Sequence, residues 1–79
     1  MNVSMKPSVL IGIIQRLNSM MASENNEEVR RFEVEGVEKC IVKYTKENDS
    51  FEMTDRENDT TYQFDDIDLV AIEIFELLA

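Results

Sequence analysis

Apolar residues recur along this chain with two different periods, and the change of period divides it into elements. Across residues 6–22, Leu10, Ile13, Ile14, Leu17, Met20 and Met21 fall three and four apart on one stripe, with Val9 at its margin. Gln15, Arg16, Asn18 and Ser19 fall opposite, so the segment predicts an amphipathic helix. Pro7 suits a first helical turn. Gly12 lies on the polar side, where it weakens the helix or leaves room for an outside approach. Residues 1–5 precede this pattern and are expected to be loose. The polar run at 23–28, SENNEE, reads as a solvated connector.

From residue 30 to 64 the period becomes two. Phe32 and Val34 alternate with Arg31, Glu33 and Glu35; Cys40, Val42 and Tyr44 alternate with Lys39, Ile41, Lys43 and Thr45. Phe51 and Met53 follow, then Tyr62 and Phe64. These predict four short strands, each with one apolar face. Two connections are nearly the same tetrapeptide, KEND at 46–49 and REND at 56–59. Asn and Asp tolerate turn conformations. As four-residue hairpin loops they pair Tyr44 with Phe51 and Val42 with Met53, then Met53 with Tyr62 and Phe51 with Phe64. Every apolar residue then falls on one face, as burial demands. The hairpin around Gly36 does not follow this rule. A two-residue Glu35-Gly36 turn sets Lys39 opposite Phe32, on the wrong face, so a longer loop or a bulge before Cys40 must restore the alternation.

The three-to-four period returns at residues 67–78. Asp65 or Asp66 is the expected N-cap, and Asp68 places a negative charge in the first turn, where the helix dipole favours it. The expected order is α-β-β-β-β-α: an α+β, two-layer domain in which a four-stranded antiparallel meander carries both helices on one face. At 79 residues the chain has length for a single domain spanning 1–79 and no more.

Composition then narrows the chemistry. There is no histidine, and Cys40 is the lone cysteine. An internal disulfide, a Ser-His-Asp or Cys-His catalytic set and a nitrogen-and-sulfur metal cage are therefore out of reach. Cys40 lies in an apolar, β-prone run and reads as a buried core residue of a protein in a reducing, cytoplasmic setting. Gly12 and Gly36 are the only glycines, so there is no phosphate-cradling loop. The net charge of −9 disfavours nucleic acid and anionic membranes as partners. The run from Val9 to Ile14 is too short to span a bilayer.

The acids have structural readings. Asp65, Asp66 and Asp68 cap a helix. Asp55, Glu57 and Asp59 match positions 1, 3 and 5 of a calcium loop, but Thr60 stands where that loop needs glycine and Asp66 where it needs glutamate. The charge is interspersed with Arg30, Arg31, Lys39, Lys43 and Arg56, which weakens any likeness to a DNA mimic. No catalytic residue, cofactor site or metal site follows from the residues, and an enzyme is not expected.

The strands FEV at 32–34, Cys40-x-Val42-Lys43-Tyr44 and FEMT at 51–54 resemble those of the YkuJ-like family, small bacterial proteins without an assigned function. So does the ending, Tyr62-x-Phe64-Asp65-x-Ile67-Asp68 followed by Ile72 to Leu78. The resemblance covers roughly residues 8–79. It implies helices on an antiparallel sheet and a bacterial cytoplasmic setting, and brings no catalytic residues with it.

Two surfaces are left over. On the last helix, Leu69 and Ile72 fall among Asp68, Glu73 and Glu76, on the nominally wet side; they either pack against the first helix or await a partner. The last strand is a sheet edge carrying Thr61, Tyr62 and Gln63, with no Lys or Pro to blunt it; the opposite edge, 30–35, is charged. A domain this small gains from oligomerisation. The expectation is a non-enzymatic interaction module, homodimeric through the outer face of the last helix or the last strand's edge, that meets a further protein partner. The alternative is a small-ligand or divalent-cation binder using the acidic turns, which a thermal shift on adding calcium would reveal.

Overall fold

The computed structural model describes residues 7–79; residues 1–6, including the expected loose terminus and Lys6, lie outside them. The elements are α1 (Pro7–Ala22), β1 (Glu27–Val34), β2 (Val37–Thr45), β3 (Ser50–Asp55), β4 (Thr60–Phe64) and α2 (Ile67–Leu78). The strands form an antiparallel meander in the order β1-β2-β3-β4. The expected α+β order therefore holds, and α2 spans its expected residues.

Both four-residue loops set the expected register. Tyr44 faces Phe51, Val42 faces Met53, Met53 faces Tyr62 and Phe51 faces Phe64. At the first hairpin, Glu35 and Gly36 form a two-residue turn with φ of 52° and 82°, the left-handed geometry that matches strand twist. Phe32 pairs with Cys40 while Glu33 pairs with Glu38, so Lys39 is the extra residue of a bulge. The bulge puts Phe32 and Cys40 on the same face, where both are buried.

β1 begins earlier than the alternation predicts. Glu27 pairs with Thr45 and Glu28 with Tyr44, so the connector is shorter than 23–28. The difference follows from burial. Glu28 and Arg30 occupy inward positions at the strand's start as an ion pair of 2.8 Å, which no apolar alternation could reveal.

The core joins Ile13, Leu17 and Met20 of α1 to Phe32, Cys40, Val42, Tyr44, Phe51 and Met53 of the sheet and Val70, Ala71, Ile74 and Phe75 of α2. Each fully buried side chain of the size of Leu17 or Phe32 contributes about 1.5–3 kcal/mol. α2 touches all four strands, whereas α1 packs on α2 and β1. The helix layer is thus displaced toward β1, which leaves β4 thinly covered. Gly12 has no atom within 4 Å of where a Cβ would stand, so nothing in the described chain uses it for close approach.

Candidate functional site

The direction of the ladder bonds defines what each sheet edge offers. The Lys46 N–H donates to Asn26 O, and Arg56 N–H to Lys39 O. Bonding direction alternates along an antiparallel strand. Even-numbered residues of β3 therefore bond toward β2, and Asp55, Met53 and Phe51 bond toward Thr60, Tyr62 and Phe64. The N–H and C=O groups of Thr61 and Gln63 are left pointing outward. On β1 the same reasoning sends Glu27, Val29 and Arg31 outward. That edge is partly closed: Arg16 Nη2 donates to Arg31 O at 3.0 Å, and the guanidinium stands 4.1 Å over the Phe32 ring. Among the described residues, none covers the β4 edge in this way. Its residues from Thr60 to Gln63 are exposed. Tyr62 is 45% exposed although its pairing with Met53 places it on the helix-bearing face. On the other face the Thr61 and Thr54 hydroxyls lie 3.0 Å apart.

The second surface is the outer side of α2. Asp66 is the N-cap, its carboxylate accepting from Asp68 N–H at 2.8 Å. The helix then buries Val70, Ala71, Ile74 and Phe75. Leu69 and Ile72 stay 54% and 43% exposed, so α1 does not cover them. Asp68, Glu73 and Glu76 are exposed around them. α2 carries no Lys or Arg. The one basic residue of α1, Arg16, is engaged on β1. Among the described residues, none of these three acids makes an ion pair; Arg30, Arg31, Lys43 and Arg56 pair instead with Glu28, Glu38 and Glu52. The interface candidates therefore lie on two surfaces, with Leu69, Ile72, Glu73 and Glu76 on one and Thr61, Tyr62 and Gln63 on the other. Val29 and Val37 are further exposed apolar residues. Val29 escapes the sequence pattern because β1 starts early.

The ionisable groups with altered behaviour serve the fold. The Ser23 hydroxyl, the Asn25 amide and Arg30 all donate to Glu28 and hold its carboxyl down to about 2. Burial alone would raise the Asp55 carboxyl. Hydrogen bonds from Glu57 N–H, Asn58 N–H and the Asn58 amide overcome it, and the net shift is downward. Asp55 continues the inward parity of Phe51 and Met53, is buried, and organises the turn that follows it. Burial, with the charges of Asp55 and Glu38, pushes the Cys40 thiol up to about 11. The Tyr44 hydroxyl donates to Asp49, which raises its pKa and ties β2 to the following turn. Among the described residues, no group of three His, Cys, Asp or Glu side chains is arranged to hold a metal ion. No helix there is long and apolar enough to cross a membrane.

Residues 13–78 match the family model described as a protein of unknown function, DUF1797. The chain is 51% identical over 77 residues to the uncharacterised protein YkuJ of Bacillus subtilis (strain 168), a match covering 90% of this chain and 98% of that protein. The fold is similar to an X-ray structure of YkuJ from Bacillus subtilis, with a TM-score of 0.80 and 48% identity over 87% of this chain and 95% of that one.

Proposed function

The chain belongs to the DUF1797 family, and on that premise we propose that it is a non-enzymatic, cytosolic interaction module that works as a homodimer joined through β4. The observation that carries this reading is the open edge of β4. Thr61 and Gln63 point two N–H and two C=O groups outward, in a strand without charge. A second copy related by a two-fold axis at Tyr62 pairs Thr61 with the partner's Gln63 and Gln63 with the partner's Thr61. The two Tyr62 rings then meet on the helix-bearing face and bury the area each exposes alone. The outer face of α2 is the poorer choice for self-association, because a two-fold contact there would set Asp68, Glu73 and Glu76 against their own copies.

The ionisable groups support a non-catalytic role. A general acid near neutrality needs a raised carboxyl pKa, yet Glu28 and Asp55 are both lowered by internal donors. A thiol at about 11 is a poor nucleophile, and its burial suits a protein that stays reduced.

Sedimentation tests the reading. Wild type is expected to sediment as a dimer at high micromolar concentration. Gln63→Pro should be monomeric and folded, since proline removes only an outward N–H at a sheet edge. Leu69→Glu/Ile72→Glu should remain dimeric. A wild-type protein that stays monomeric at high micromolar concentration overturns the homodimer.

A further inference from the structure

We propose that the outer face of α2 is a docking surface for a basic amphipathic helix of another protein. This rests on the interaction-module reading and names the partner's chemistry. Three observations converge on it. Leu69 and Ile72 are one helical turn apart and exposed, which is the spacing a helix presents to another helix packed along it. They are surrounded by Asp68, Glu73 and Glu76 in a helix without a single cation. The neighbouring α1 supplies no counter-charge either, because Arg16 is committed to the β1 edge.

The chemistry follows from these facts. An apolar ridge alone would accept any greasy surface. An apolar ridge whose charged neighbours, among the described residues, are acids disfavours acidic partners, a second copy of this chain included, and attracts one whose leucine-like side chains are flanked by Lys or Arg. A helix fits better than an extended strand, since two ridge residues at i and i+3 interdigitate with the same spacing on a helix and not with the two-residue repeat of a strand. The Asp66 cap and the buried Val70, Ala71, Ile74 and Phe75 anchor α2 on the core, so Leu69 and Ile72 are presented from an already formed helix.

The test uses the full, isotopically labelled chain and a designed peptide of about 18 residues, long enough for helix, with leucines at three- and four-residue spacing and lysines between them. Three controls accompany it: a scrambled peptide of equal charge, a version with glutamate for lysine, and the protein variant Leu69→Ser/Ile72→Ser, whose fold is checked by circular dichroism. Chemical-shift changes should map to α2, and the scrambled peptide should bind at least about tenfold more weakly. The Ser variant should lose a similar factor, and the glutamate peptide should not bind. Equal binding of the scrambled peptide, or shifts that map away from α2, overturns the proposal. Sedimentation of the same samples separates this inference from the homodimer. Specific peptide binding by a monomeric wild type supports the docking face and rejects the dimer alone. A dimer that ignores the peptide rejects the docking face alone. A Ser variant that turns monomeric identifies the ridge as a self-interface and also rejects it.

Discussion

In a chain with seventeen acids, Glu28 and Asp55 are set apart by the donors around them. Glu28 ties the loop after α1 to β1 by accepting from Ser23 at 2.7 Å, Asn25 at 2.6 Å and Arg30 at 2.8 Å. Its folded pKa of about 2 lies below the ordinary 4.5. The stability it supplies is therefore complete above about pH 4.5 and is lost as pH falls toward 2. Glu28→Gln should be less stable than wild type in urea at pH 7, and the gap should close steadily as pH falls below 4.5. A gap that stays constant across that range would show that the carboxylate charge is not the cause. SENNEE contains Glu28 and two of its donors, Ser23 and Asn25, but nothing in the run set this acid apart from Glu24 and Glu27, and the third donor, Arg30, lies beyond it. Asp55 left a fainter signal: it continues the inward parity of Phe51 and Met53 and stands three residues before an Asn, the spacing of a side-chain-closed turn.

At the scale of elements, the two near-identical tetrapeptides were the most informative part of the sequence. They fixed strand register because loop length and apolar alternation had to agree, and a slip by one residue would have exposed Val42, Tyr44, Phe51 and Met53 together. Which residue takes the left-handed conformation was not legible. Asp49 and Asp59, the last residue of each loop, have φ of 51° and 54°. Asp49 offsets that strain by accepting the Tyr44 hydroxyl, whereas Asp59 makes no such bond. Asp59→Gly should therefore stabilise the protein by about 0.5–1 kcal/mol in urea unfolding, the left-handed penalty less glycine's entropy cost. Asp49→Gly should gain less or lose stability. Equal gains at both positions would contradict the role given to Asp49. The bulge at Lys39 was one of two solutions the sequence allowed, and burying Phe32 and Cys40 together selected it.

For the whole molecule, the sequence showed that the last helix has more apolar residues than one buried face needs. It could not show whether α1 would cover Leu69 and Ile72. That depends on where the helix layer sits, and the layer leans toward β1. The same displacement bares Tyr62, whose inward parity alone would have predicted burial. Among the described residues, one sheet edge is tended by Arg16 and the other is left open, and pairing through that open edge is the central claim. The most direct measurement is amide hydrogen exchange by NMR on the full chain, followed from dilute to high micromolar concentration. Tyr62 bonds inward and should be protected throughout, while Thr61 and Gln63 should exchange rapidly when dilute and gain protection as concentration rises. Fast, concentration-independent exchange at Thr61 and Gln63 beside a protected Tyr62 would contradict pairing through β4.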